Sequence, residues 1–199
     1  MPVKPNREYR IAAPFRAVEG EEFRVEGYAS TFNPYVMYEI DGVAYSERIE
    51  RGAFDNADMR DVIMQFDHEG MVFARRSNDS LQLDIDEHGL HIVADLSRTA
   101  DARNLYEAIS TGMVTQMSFA FTVAADYFDK DTRTRVITAI KRVYDVSAVS
   151  IPANPDTEIS ARSYFNGVIE MERAERLEAE KRERQKRKIK ILTEVNRNV

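Results

Sequence analysis

Alternating apolar and polar positions run through most of the first 150 residues and predict a chain made largely of short β-strands. A period of two is the pattern of a strand with one buried face. The stretches that show it are EFRVEGYASTF, DVIMQFDHEG, VFARR, SLQLDID, LHIVADL, VTQMSFAFTV, RTRVITAIKR and VYDVSAVSIPA. Tight turns are predicted at Asp41-Gly42, inside YEIDGVAYSERI, and at DEHG, where Gly89 suits the turn. So many short strands favour a closed barrel or a sandwich.

The period changes to three or four residues between positions 100 and 110, which predicts a helix. Thr99 can cap its start and Gly112 can close its end. RGAFDNA predicts a loop that leads into a second, short helix. The expected fold class is therefore mostly β with helices (α+β).

Composition divides the chain into three segments: a loose lead-in at residues 1–20, a body at 21–167 and a charged tail at 168–199. The tail carries 10 Lys+Arg against 7 Glu, a net charge of +3, while the remainder carries 18 against 27, a net charge of −9. Because phosphates are bound by Lys and Arg, we expect no nucleic-acid binding by this acidic body. The tail's helix-forming residues and Glu/Arg pairs predict a helical or disordered segment without a sustained coiled-coil seam.

Three further features of composition exclude whole classes of function. No apolar run approaches the roughly 20 residues that span a bilayer, and the first residues contain no apolar core of a signal peptide. The absence of cysteine excludes disulfides, thiolate metal sites and a cysteine nucleophile, and it fits a reducing cytoplasm.

His68 is the first candidate for chemistry, because the alternation places it at the end of a strand. Val62, Met64, Phe66 and His68 are predicted to share the inward face, and Gly70 then ends the run. An imidazole in this position could be a structural side chain satisfied by a local hydrogen bond, or it could meet a substrate.

Ser118 and Asp145 lie on predicted strands of the same body. Ser118 shares one face with Gln116, Ala120 and Thr122. Asp145 shares a face that otherwise looks buried with Val143, Ser147, Val149 and Ile151. A buried carboxylate needs a cation or a donor, for which an imidazole is one candidate. A serine becomes nucleophilic beside a base, and an acid orients that base. Spacing alone leaves open whether His68, Ser118 and Asp145 meet.

The remaining histidines, His88 and His91, have an H-x-x-H spacing with acidic neighbours. The spacing falls across a predicted turn and no third histidine lies nearby in the sequence, so we expect no metal site there.

Five motifs, in this order, resemble those of the tailed-phage prohead proteases, which are capsid-maturation serine proteases distantly similar to herpesvirus assemblin. The motifs are EGYASTF, ERIERGAF, FDHEG followed by FARR, TGMVTQMSFAF and VYDVSAVSIPANPDT, and they cover roughly residues 23–162. The resemblance implies an assemblin-like closed β-barrel surrounded by helices.

The resemblance also implies catalytic roles for His68, for Ser118 as the serine of the M-S-F motif, and for Asp145 as the acid. Glutamate is more familiar at the acidic position, and the herpesvirus enzymes use a second histidine, which does not occur after Ser118 here. Ala120 stands where a glycine is expected. Arg142 or backbone amides are candidates for the oxyanion donors.

The function implied by the resemblance is an endopeptidase that trims the scaffolding segment of the major capsid protein, and itself, inside the immature capsid in the host cytoplasm. The resemblance implies no cofactor, and a homodimer is expected by analogy with related viral enzymes. Two other hypotheses are a non-enzymatic capsid-assembly or scaffold component that retained the barrel, which the charged tail and Ala120 would suit, and a small β-barrel binding module.

Overall fold

The computed structural model describes residues 7–11, 14, 16–150 and 159–197. Strands account for most of the described body, and two α-helices are added to them. The strands are β1 (Glu8–Ile11), β2 (Arg16–Ala17), β3 (Arg24–Thr31), β4 (Tyr35–Ile40), β5 (Val43–Ile49), β6 (Ile63–Phe66), β7 (Glu69–Arg75), β8 (Leu81–Ile85), β9 (Gly89–Asp95), β10 (Gln116–Asp129) and β11 (Thr134–Val149). The helices are α1 (Ala100–Ser110) and α2 (Ile159–Arg197), with 3-10 turns at Arg51–Phe54 and Arg76–Asn78.

The strands form two sheets. One follows the order β1-β10-β11-β5-β4, with β6 paired to β11 and β7 paired to β6, and the other follows β2-β3-β9-β8. The predicted α+β class is confirmed. Among the described residues these pairings do not close into a ring of strands, so the barrel stays a prediction.

Strand β11 is the centre of the larger sheet, and it brings distant segments together. It pairs antiparallel with β10 along one side. On its other side it pairs in parallel first with β5 and then, over Asp145–Ala148, with β6. The sequence predicted two strands here, RTRVITAIKR and VYDVSAVSIPA, but no turn residue separates them and the structure makes one strand of 16 residues. The end of the second stretch, from residue 151, lies outside the described residues.

Several local predictions are confirmed with their expected chemistry. The β4–β5 hairpin turns at Asp41 and Gly42, whose φ angles of 53° and 74° suit this two-residue turn. Helix α1 is capped by Thr99, whose Oγ1 accepts a hydrogen bond from the Ala102 amide at 3.1 Å. Its apolar stripe is buried at Ala102, Leu105 and Ile109.

Gly89 is required for a reason other than the predicted one. Its φ is not left-handed, and it begins strand β9 beside β3. A Cβ at this position would lie 1.9 Å from the Ser30 carbonyl oxygen. The glycine therefore allows a close approach of two backbones instead of forming the turn.

The first 20 residues contain two short strands, where the sequence predicted a loose lead-in. Strand β1 pairs with β10, and β2 pairs with β3. The pattern misses β1 because it has only four residues and because one of its buried side chains is the charged Arg10.

The chain separates into two compact units, Met1–Ala161 and Arg162–Val199. The second unit is the greater part of helix α2, whose exposed side chains include the i,i+3 ion pairs Glu178–Lys181 and Glu183–Lys186. Residues 168–197 of the predicted tail thus lie within a helix that begins earlier, at Ile159. No helix within the described ranges combines the length and apolar character needed to cross a membrane.

Candidate active site

Strands β10 and β11 place Ser118 and Asp145 on one face of the larger sheet. In their register Ser118 lies opposite Ser147, and Ala120 lies opposite Asp145. Residues opposite each other in paired strands point to the same side. The other face of β10 carries Met117, Phe119 and Phe121, all buried, with the two phenylalanine rings stacked at 4.5 Å.

His68 comes from a turn, so its predicted position on the inward face of a strand is wrong. Strand β6 ends at Phe66, which pairs with Glu69 at the start of β7. Asp67 and His68 are the two residues between them, with φ angles of 51° and 61°. Such a turn joins adjacent antiparallel strands without splaying them, and aspartate tolerates the left-handed conformation. The predicted break at Gly70 is also absent, because β7 runs through it.

Asp67 fixes this turn against the end of β11. Its amide donates to the Ala148 carbonyl at 2.9 Å. Its two carboxylate oxygens accept from the Ser150 amide at 2.9 Å and from the Ser150 hydroxyl at 2.7 Å. The parallel pairing of β6 with β11 and this clamp together hold His68 over the face that carries Ser118 and Asp145.

The three side chains form one hydrogen-bonded line. His68 Nδ1 lies 2.5 Å from Asp145 Oδ1, and His68 Nε2 lies 2.8 Å from Ser118 Oγ. Because a carboxylate only accepts, Nδ1 carries the proton and Nε2 accepts from the serine hydroxyl. All three residues are buried, with exposures of 3% for His68, 0% for Ser118 and 2% for Asp145.

Asp145 has two further polar neighbours that sequence analysis did not assign to the site. The Ser147 hydroxyl donates to Asp145 Oδ1 at 2.8 Å. Arg7 Nη1 lies 4.0 Å from Asp145 Oδ2, and its guanidinium lies 3.7 Å from the centre of the Tyr144 ring. The predicted face containing Asp145 and Ser147 could have indicated the first neighbour. Nothing in the sequence pattern of residues 1–20 indicated the second neighbour, Arg7.

Tyr9 is the other missed neighbour. Its ring centre lies 4.7 Å from that of His68, with the planes at 73°, an edge-on contact. Tyr9 is 6% exposed and lies opposite Ala120 in the β1–β10 register.

The structure shows other partners for three further residues that the sequence singled out, Arg142, His88 and His91. Arg142 contacts Asp58, at 3.9 Å, and the Tyr144 ring. His88 is exposed beside Glu87, and His91 lies 3.7 Å from Glu26. Within the described ranges, no three His, Cys, Asp or Glu side chains form a group that could hold a metal ion.

An imidazole between a buried carboxylate and a serine hydroxyl is an arrangement for nucleophilic catalysis. The base can take the hydroxyl proton as the oxygen attacks an acyl carbon, and the carboxylate favours the imidazolium that forms. The geometry is that of a serine hydrolase.

Comparison with known proteins places the chain in a family. The sequence profile of the family described as Caudovirus prohead serine protease matches residues 12–172. The chain belongs to this family. It is similar to the "Prohead protease" of Enterobacteria phage HK97, with 32% identity over 154 residues, which are 75% of this chain and 64% of the relative. The chain thus spans slightly less than two thirds of that relative's length. No solved structure matched the chain.

Proposed function

We propose that the chain is a serine endopeptidase of phage capsid maturation. The observation that carries this proposal is the 2.8 Å contact between His68 Nε2 and Ser118 Oγ, with Asp145 on the other imidazole nitrogen. Family membership supports the same reaction class, and the relative from phage HK97 is named for prohead proteolysis.

In the proposed reaction Ser118 Oγ attacks the carbonyl carbon of the scissile peptide bond while His68 Nε2 takes its proton. The resulting tetrahedral intermediate collapses as His68 returns that proton to the leaving amine, which breaks the C–N bond and leaves an acyl ester on Ser118. Water, deprotonated by His68, then attacks the ester carbonyl carbon, and the bond between that carbon and Ser118 Oγ breaks as His68 returns the proton to Oγ, which releases the second product and restores the serine. Asp145 holds the imidazole in its tautomer and stabilises the imidazolium in both steps.

The proposed substrate is the scaffolding segment of the phage's own major capsid protein, with self-cleavage as a second reaction. Both would occur inside the immature capsid, in the host cytoplasm, with a homodimer as the expected assembly. The assemblin-like closed barrel remains part of this proposal as the expected architecture.

The burial of the three side chains adds a requirement to the proposal. Ser118 is 0% exposed, so a peptide bond reaches its hydroxyl only after part of the surrounding protein moves. Proteolysis would therefore include an opening step before the chemical step.

Co-expression with the cognate major capsid protein tests the proposal. Wild type should shorten the capsid protein on a gel, whereas Ser118→Ala should leave it at full length. Ser110→Ala, an exposed serine at the end of α1, is the matched control and should trim as wild type does. Trimming by Ser118→Ala would overturn the proposal. Normal capsid assembly by Ser118→Ala, with no trimming by wild type, would favour the non-enzymatic assembly role.

Intact mass after expression tests self-cleavage separately. Loss of part of residues 168–199 in wild type, but not in Ser118→Ala, is the expected result. Loss of the same segment in both would assign the cut to a host protease.

A further inference from the structure

We propose that strand β1 is part of the active centre and that Tyr9 is a positioning residue for His68. This inference rests on the proposed function, because it concerns the same histidine. The family profile begins to match at residue 12, so β1, at Glu8–Ile11, precedes the matched region.

The first observation is the row in which Tyr9 lies. Tyr9 is opposite Ala120, and Ala120 is opposite Asp145, so these three residues form one row across β1, β10 and β11. Their side chains share the face over which His68 lies. The Tyr9 ring meets the His68 ring at 4.7 Å and 73°. The His68 ring is therefore held at three places: Asp145 at Nδ1, Ser118 at Nε2 and Tyr9 at its side.

The second observation is an ion cluster that holds β1 from its opposite face. Arg10, which is 3% exposed, binds both carboxylate oxygens of Glu47 on β5, at 2.5 and 2.7 Å. Arg135 on β11 binds both oxygens of Glu8, at 2.7 and 3.0 Å, and also contacts Glu47 at 3.1 Å. Arg10 and Glu8 also contact each other, at 2.5 Å. Strand β1 thus contributes two charged side chains, Glu8 and Arg10, to a largely buried network whose other members lie on β5 and β11.

The cluster fixes the register of β1. A strand of four residues that pairs along one side has few backbone hydrogen bonds to set its position, and a slip of one residue would turn Tyr9 away from His68. Buried ion pairs add little net stability but are best attested as devices that select one register. Here Glu8 and Arg10 find their partners only when Tyr9 and Arg7 face the Asp145 side.

Positioning of the imidazole matters because proton transfer from Ser118 depends on the Nε2–Oγ geometry. A displacement of about 1 Å at a reacting group lowers rates by as much as about 100-fold. The neighbouring groups that hold His68 by polar contacts remain in a Tyr9 variant. Removal of the Tyr9 ring should therefore lower the rate of reaction at Ser118 strongly without abolishing it, whereas Ser118→Ala should abolish the reaction.

The test measures covalent labelling of the full-length chain by a fluorescent alkyl fluorophosphonate, which reacts with an activated serine and needs no knowledge of the natural substrate. Tyr9→Ala should lower the maximal labelling rate constant roughly 10- to 100-fold, with little change in the probe concentration for half-maximal rate. Tyr9→Phe retains the ring and should restore most of the rate. Tyr127→Ala, which removes a tyrosine that is 49% exposed on β10, is the matched control.

A further variant, Tyr9→Leu, separates the loss of the ring from misfolding, because it keeps an apolar side chain in the buried position. It should fold, as judged by thermal unfolding, and label as slowly as Tyr9→Ala. Wild-type rates in Tyr9→Leu and Tyr9→Ala would overturn the positioning role, and faster labelling would assign Tyr9 to covering the site instead. Absence of labelling in wild type would contradict the proposed function itself, and so the two failures are distinguishable.

Discussion

His68 and Asp145 are 77 residues apart in the chain, and their side chains meet at 2.5 Å between Nδ1 and Oδ1. Parallel pairing of β6 with β11 produces this contact, because it sets Ile63 beside Asp145 and carries the following turn to the Ser118 face. The contact between His68 and Asp145 therefore follows from the strand topology, in which β6 and β11 are far apart in the sequence but pair in parallel.

Asp145→Asn tests the role of that contact. An amide in place of the carboxylate can donate to Nδ1 and so favours the wrong imidazole tautomer, with little change in shape. We expect capsid-protein trimming to slow by about 10⁴-fold, the loss known for such a change in a serine protease triad. Asp84→Asn, at an exposed site on β8, serves as the control. Trimming within a few-fold of the wild-type rate in Asp145→Asn would contradict an orienting role for this carboxylate.

Ser147→Ala tests the hydroxyl that donates to Asp145 Oδ1 at 2.8 Å. The carboxylate keeps His68 as a partner, so we expect a smaller loss, about 10-fold in trimming rate, and about 1 kcal/mol in the free energy of unfolding. Chemical denaturation and a trimming time course measure the two quantities on the same preparation. An unchanged trimming rate would show that Ser147 serves folding alone.

The pH dependence of stability, compared between wild type and Glu8→Gln, tests the ion cluster. Burial acts to raise the pKa of Glu8, but Arg10 and Arg135 outweigh it and hold the pKa below its ordinary value of 4.5. The folded state then binds fewer protons than the unfolded state, so the stabilisation is complete above the ordinary value and is lost as pH falls through the lowered pKa.

The thermal midpoint of wild type should therefore fall more steeply below pH 4.5 than that of Glu8→Gln. The variant should also be less stable at neutral pH, because Arg10 and Arg135 lose a charged partner. Parallel curves for the two proteins over the acid range would contradict the account of the cluster.

Gly89→Ala tests the close approach of β9 to β3. Its methyl group would lie 1.9 Å from the Ser30 carbonyl oxygen, so one strand must shift. We expect a loss of about 2 kcal/mol or more in the free energy of unfolding. Gly52→Ala is the control, since its nearest neighbour is the Asp55 carboxylate at 3.3 Å, on a side chain that can move. Equal stabilities of the two variants would remove the steric explanation.

Local features of the fold were predictable from sequence where the signal lay in a few adjacent residues. Asp41-Gly42 indicated its hairpin and Thr99 its helix start. The long β11 was predicted as two strands, and its pairing with β10 along the whole length, from Thr134 to Val149, shows that the two halves are one strand.

The surroundings of the site were less predictable than its three central residues. The predicted position of His68 on a strand was wrong because Asp67 and His68 continue the alternating pattern of β6, although both residues form the turn that follows it. Tyr9 was missed because its strand is held by charged side chains, which hydrophobic patterning excludes from a core. The resemblance to a known family indicated His68, Ser118 and Asp145 as the catalytic residues. Their spacing in the sequence could not show that the three side chains meet.

Mapping the residue labelled by the fluorophosphonate probe is the most direct test of the central claim, that His68 activates Ser118. Peptide mass spectrometry of labelled wild type should place the phosphonate on Ser118, with no labelling of Ser118→Ala and a severe loss in His68→Ala. Wild type that is folded but unlabelled, or that carries the phosphonate on another serine, would contradict the account.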